Sequence, residues 1–248
     1  MISIPGETRT RFCSRHALIS PDGHVASTVP GVSGVRVVVH ISPAMGAKFV
    51  QSTLTFEPNG RADFSASPNE YFFYVQEGSI CATVDGKDYT LDDGSYLFVP
   101  AQKACTIKAA ATAKLICFEK TYAQTAASKI PPVVIGHAAK VQGQPFLGNP
   151  KALLQVLLPD EIGFDMAVNI FTYQPGAALP FVETHVMEHG LLMLDGEGIY
   201  RLEDAWYPVS AGDVIWMAPY CPQWFAAIGD KPASYLYYKD VNRPFLAP

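Results

Sequence analysis

Glu183, His185 and His189 lie together in the stretch Glu183-Thr-His185-Val-Met-Glu188-His189. One carboxylate and two imidazoles are the oxygen and nitrogen donors that divalent metal ions take from proteins. On a helix, His185 and His189 are four apart and share a face, and His185-x-x-Glu188-His189 matches a pattern used by zinc-dependent peptidases. The surroundings are not helical, because Pro175, Gly176 and Pro180 precede the stretch and Gly190 opens a strand-like run. On a strand, alternate side chains share a face. Glu183, His185 and His189 would then project to one side and Glu188 to the other, which gives three donors on one surface.

The chain that must position them has 248 residues, 49% apolar and 17% charged, enough for two domains of ordinary size. Alternating or apolar runs recur between Gly, Pro and Asp: residues 35–41, 52–56, 71–76 and 79–84 early on, 153–158, 166–173, 190–194 and 198–202 later. No long segment carries a helical period, so the fold class is all-β. Sliding the sequence by 118 positions lays Glu70 on Glu188, Gly78 on Gly196, Tyr89 on Tyr207, Gly94 on Gly212 and Cys105 on Gln223. Upstream the offset is 116, which lays Pro43 on Pro159 and Gly60 on Gly176. Two copies of one β unit follow. Residues 123–150, rich in Ala, Pro, Gly and Gln, have the composition of a crossing linker, and the expected domains are 1–138 and 139–248.

Several function classes are excluded. A formal charge of −5 with no Lys/Arg cluster offers nothing to a phosphate backbone or an anionic membrane. Pro5, Glu7, Arg9, Arg11 and Arg15 interrupt the start of the chain, so it lacks the apolar core of a signal peptide, and no stretch is long enough to span a bilayer. The five cysteines, Cys13, Cys81, Cys105, Cys117 and Cys221, are odd in number and form no CxxC pair, which argues for a reducing, cytoplasmic setting. Cys221 has no histidine partner that would make it a nucleophile.

A fourth donor comes from the hairpin that ends Ala218-Pro-Tyr220-Cys-Pro-Gln223. Here the sequence resembles the cupin superfamily, whose two motifs carry histidine and glutamate ligands at fixed distances from glycines. Gly196 stands seven after His189 and Gln223 eleven after Gly212, so the spacing is kept while three ligands are changed. Glu183 takes the first histidine position, His189 the glutamate position and Gln223 the last histidine position, while Tyr220 replaces a motif glycine. The resemblance implies a bicupin of two tandem jelly-roll barrels. Two imidazoles, a carboxylate and an amide oxygen suit octahedral Mn²⁺ with two positions open. In the first copy the equivalent positions are Ser65, Ser67, Tyr71 and Cys105, which are poor ligands, so one ion per chain is expected.

The swapped ligands, together with Ser20-Pro-Asp-Gly23, Leu158-Pro, Gly163-Phe-Asp-Met166 and the tail Tyr238-Lys239-Asp240-Val-Asn242-Arg243, resemble the (S)-ureidoglycine aminohydrolase family of purine-ureide catabolism. The resemblance implies a homo-oligomeric Mn²⁺ enzyme that releases ammonia from (S)-ureidoglycine to give (S)-ureidoglycolate. It carries over Glu183, His185, His189 and Gln223 as metal ligands, with Glu183 also near the leaving amine. Tyr200, Tyr235 and Lys239 would face the substrate, Lys239 either pairing with its carboxylate or moving a proton. Two rivals stay open: another metal bicupin, such as a dioxygenase or isomerase, and a non-catalytic binding bicupin.

Overall fold

A computed structural model of the chain describes residues 8–243; Pro5 and Glu7, counted above against an apolar leader, lie outside the described residues. Among the described residues the regular structure is strands and three short 3-10 turns, with no α-helix. The strands begin with β1 (Arg11–Phe12) and β2 (His16–Ile19). Next come β3 (Val32–Ile41), β4 (Val50–Phe64), β5 (Asn69–Glu77), β6 (Ser79–Val84), β7 (Lys87–Asp92), β8 (Ser95–Val99), β9 (Cys105–Lys108), β10 (Ala113–Thr121) and β11 (Val134–His137). The last are β12 (Gln144–Phe146), β13 (Asn149–Val156), β14 (Met166–Tyr173), β15 (His189–Asp195), β16 (Glu197–Leu202), β17 (Ala205–Ser210), β18 (Val214–Met217), β19 (Gln223–Ala227) and β20 (Ala233–Asp240).

These strands form two compact units that are not contiguous halves. The first comprises residues 25–142 and 157–167; among the described residues, the second takes 8–24, 143–156 and 168–243. The expected boundary at 138/139 therefore falls inside the first unit. The N-terminal segment joins the second unit because β2, buried along its whole length, pairs with β18 from His16↔Met217 to Ile19↔Val214. Arg9 adds an ion pair of 2.6 Å to the fully buried Asp213. Residues 157–167 are held in the first unit by Asp165, whose Oδ2 lies 3.0 Å from Lys120 Nζ and accepts from the Ala123 N–H at 2.7 Å. The 123–150 linker is also more structured than its composition implies, since it contains β11 and β12.

In the first unit one sheet runs β11-β8-β5-β10-β4-β9-β6-β7, with β3 on β4. The long β4 makes it continuous, pairing through residues 50–56 with β10 and through 61–64 with β9. Between them Asn59 takes a left-handed backbone, φ 65°. In the second unit the same plan splits into a sheet β1-β2-β18-β15-β20-β14-β13-β12 and a second, β17-β16-β19. Each unit encloses its own apolar core, around Phe56, Phe73 and Leu97 in the first and Phe171, Leu202 and Phe225 in the second. Burying each such side chain stabilises by roughly 1.5–3 kcal/mol.

The registers repeat as well as the sequence does. Tyr71 pairs with Val99 as His189 pairs with Met217, and Cys105 with Val84 as Gln223 with Leu202. On the other flank Glu119 faces Tyr71 and Lys239 faces His189, so Lys239-Asp240 occupies the place of Glu119-Lys120. Among the described residues no helix is long and apolar enough to cross a membrane. All five cysteines are free thiols.

Candidate active site

A cavity of about 210 Å³ in the second unit is bordered by Glu183, His185, His189, Gln223, Tyr200, Tyr235 and Lys239. Every residue that the sequence nominated for the site thus faces one space. Tyr237 and an apolar wall of Phe146, Phe171, Leu179, Met187, Leu191 and Met217 complete it. Tyr237 lies outside the cupin motifs, but the alternation of Tyr235, Tyr237 and Lys239 along β20 is a period-two signal that marks it. Glu188 is absent from the lining, as the strand reading required.

The strand reading of residues 183–189 otherwise fails. Only His189 begins a strand; Glu183 and His185 sit on a bent segment. Beside β9 the first copy uses residues 61–64, whereas beside β19 the second needs 178–183 to pass between the bridges Ala178↔Ala226 and Glu183↔Gln223. Pro180 within this span has no N–H for a ladder, so pairing shrinks to isolated bridges. One of these is reciprocal, Glu183 N–H to Gln223 O at 2.8 Å and Gln223 N–H to Glu183 O at 2.9 Å, and it sets two donors side by side. His185 is anchored where its carbonyl accepts from the Tyr220 N–H at 2.7 Å. Tyr220 has φ 61°, so it keeps the left-handed turn of the glycine it replaces. This register also matches Glu183 with Phe64, the partner of Cys105, rather than with Ser65.

His185 Nε2 lies 3.1 Å from His189 Nε2 and 3.1 Å from Gln223 Nε2. The other nitrogen of His185, Nδ1, is 3.2 Å from the Met187 carbonyl, which fixes the proton there. His189 is hydrogen-bonded to the Tyr238 backbone; burial above all, then His185 and Lys239, hold its pKa well below the usual histidine range. His185 is also depressed, chiefly by burial. Two rings kept neutral, each tied to backbone through one nitrogen, therefore leave their Nε2 atoms 3.1 Å apart as lone-pair donors. Metal-binding histidines are oriented in this way. Bonds of about 2.1 Å at right angles would set two ligand nitrogens about 3.0 Å apart.

Gln223 presents either amide atom to that point by rotating its terminal torsion. The Tyr200 hydroxyl, 3.4 Å from Gln223 Oε1, can donate to the oxygen or accept from the nitrogen. Glu183 borders the same space, its pKa raised by burial and partly lowered again by Lys239. Among the described residues no three His, Cys, Asp or Glu side chains gather into an ion-binding group, so Glu183 would join the histidine pair as a ligand only by turning its carboxylate toward it. The two imidazoles fit an ion as they stand, the Gln223 amide fits once turned to present Oε1, and Glu183 supplies a charge in the same cavity.

Beneath these groups lie the phenols of Tyr173, Tyr200 and Tyr235, with Tyr173 and Tyr235 hydroxyls 3.2 Å apart. Burial pushes all three pKa values up, so they serve as neutral donors and acceptors. The first copy lacks these groups. Ala82, Leu115, Cys117 and Glu119 occupy the places of Tyr200, Tyr235, Tyr237 and Lys239. Phe64 packs its ring 5.0 Å from those of Tyr71 and Phe73 where the second copy has Glu183. Burial pushes Tyr71 and Cys105 up to about 12, so neither offers an anionic ligand.

The cupin-domain model matches the chain twice, over residues 52–118 and 169–238, and the chain belongs to the cupin superfamily. It is 37% identical over 245 residues to (S)-ureidoglycine aminohydrolase of Arabidopsis thaliana, covering 97% of this chain and 80% of that one. It is 36% identical over 232 residues to the same enzyme of Escherichia coli, covering 92% and 88%. Within the superfamily, the chain belongs to the (S)-ureidoglycine aminohydrolase family. Among solved structures it is similar to protein Ylba from E. coli, at 33% identity, 95% coverage of both chains and a TM-score of 0.86. An oxalate decarboxylase variant of Bacillus subtilis, 10% identical with a TM-score of 0.70 over 91% of this chain and 77% of that one, shares the fold alone.

Proposed function

We propose that the chain is an Mn²⁺-dependent hydrolase that converts (S)-ureidoglycine to (S)-ureidoglycolate with release of ammonia. The observation that carries this reading is the meeting of paired histidine lone pairs, an amide, a carboxylate and a lysine on one small cavity. The relatives that bear this enzyme's name support the substrate. Glu183, His185, His189 and Gln223 would hold the ion. When bound, the ion supplies Lewis-acid polarisation and an anchor for a chelating substrate.

The remaining roles fall to the chain's own side chains. Lys239, opposite His189 in the ladder, neutralises the substrate carboxylate. The Tyr200 and Tyr235 hydroxyls orient the ureido group, each able to donate and to accept. Glu183 contacts the amine that leaves; a carboxylate oxygen there can take a proton from the attacking water and pass it to the departing nitrogen, so that the C–N bond breaks with release of ammonia as the hydroxyl joins the carbon. The walls of Phe146, Phe171, Leu179 and Leu191 keep bulk water from the reacting carbon. Cys221 takes no part: it is absent from the cavity lining and burial pushes its thiol up to about 11. The test is to generate ureidoglycine from allantoate in the presence of Mn²⁺ and follow ammonia and the configuration of the ureidoglycolate. Accelerated release of the (S) product is expected. Oxygen uptake with ferrous ion and no ammonia would favour an oxygenase instead.

A further inference from the structure

The tail Lys239-Asp240-Val-Asn242-Arg243 sends Lys239 to the cavity and leaves Asp240 on the opposite side of β20, outside the lining. Asp240 Oδ1 accepts from the Glu188 backbone N–H at 2.6 Å. Glu188 is 1% exposed and stands where the bent segment carrying Glu183 and His185 becomes β15. The ladder between β15 and β20 begins at His189↔Lys239, so the Glu188 N–H lies just beyond it and a side chain supplies the acceptor. A buried amide left without one costs roughly 1–3 kcal/mol, and a carboxylate is the stronger kind of acceptor. The Glu188 carboxylate in turn accepts from Trp216 Nε1 at 3.3 Å. The residue before His189 is thus gripped at both backbone and side chain. In the first copy the same place holds Lys120, which reaches Asp165 instead. Where the second copy has this carboxylate, the first copy carries a cation.

We propose that Asp240 is a positioning residue: by capping the Glu188 N–H it fixes the end of the segment that aims His185 and His189 at one point. This rests on the metal reading above, and its test reads metal affinity rather than turnover. Mn²⁺ binding is titrated by the paramagnetic resonance signal of the unbound ion, on the full chain and on Asp240→Ala and Asp240→Asn, beside thermal melts of the metal-free proteins. Asp240→Ala should weaken Mn²⁺ binding about tenfold through the lost acceptor. Asp240→Asn keeps an oxygen for the same N–H and should stay within about threefold of wild type. Wild-type affinity in Asp240→Ala, with or without a lower melting temperature, would overturn the inference, as would a fall of Asp240→Asn to the alanine level. If Asp240→Ala does not fold, Asp240→Asn decides alone: about threefold or less supports the cap, tenfold overturns it. A wild-type chain that binds no Mn²⁺ would overturn the metal reading itself, a different result from either.

Discussion

Replacing Lys239 tests the substrate side of the site without touching a proposed metal ligand. A carboxylate about 4 Å from an ammonium gains about 4 kcal/mol at an effective dielectric of 20 and about 1 kcal/mol in water. Lys239 is half-buried on the cavity wall, between these limits, so about 2 kcal/mol is at stake. Lys239→Ala should therefore lower kcat/KM about 30-fold, with Mn²⁺ content unchanged. Lys239→Glu restores the acid that the first copy carries at Glu119 and turns attraction into repulsion of similar size. It should lose about 30-fold more. The assay is ammonia release over a range of ureidoglycine concentrations, beside metal analysis of each variant. Unaltered kinetics at every concentration would make Lys239 a solvated lysine with no part in holding the substrate. Loss of metal would show that it acts on the ion's site instead.

His185→Ala and His189→Ala should each abolish Mn²⁺ retention, while Gln223→Ala, which removes a neutral amide, should weaken it less; equilibrium dialysis and metal analysis read the order. Cys221→Ala should retain full turnover, since a buried thiol raised to about 11 is not ionised at neutral pH. Lys120→Met leaves Asp165 buried without its cation and should destabilise the chain by about 3–5 kcal/mol, measured by denaturant unfolding. Gly196→Ala should destabilise by at least about 1–3 kcal/mol, because its φ of 72° suits glycine and an added Cβ would lie 2.5 Å from Pro232 O; its melting temperature is the check.

The repeat was legible because the same turn recurs. Gly78 and Gly196 share a left-handed backbone and a close approach to the strand beyond, at Ala113 and Ala233, so both copies keep the glycine while the chemistry around it drifts. The convergence of Glu183, His185, His189 and Gln223 on one cavity was legible from motif spacing, although the strand that was expected to align them is absent. Spacing counts residues and does not register that Pro180 breaks the ladder or that extra residues shift Glu183 onto the place of Phe64. The exchange of segments between the units was hidden because β2 is only four residues long, His16–Ile19, and its partner β18 lies some two hundred positions away. The inversion from Glu119-Lys120 to Lys239-Asp240 falls outside the ungapped repeat, and only the ladder register brings the two pairs together.

The proposal that the second copy alone holds the metal and performs the chemistry makes the sharpest demand. It is tested by measuring Mn²⁺ per chain and ammonia release from ureidoglycine on the same preparations of wild type and a Glu183→Ala, His185→Ala, His189→Ala triple variant. About one Mn²⁺ per chain and accelerated release are expected in the wild type, and no retained metal with only spontaneous decay in the variant, because the first copy offers Phe64, Tyr71 and Cys105 in the places of the ligands. Stoichiometric Mn²⁺ persisting in the triple variant, or a metal-loaded wild type no faster than spontaneous decay, would contradict it.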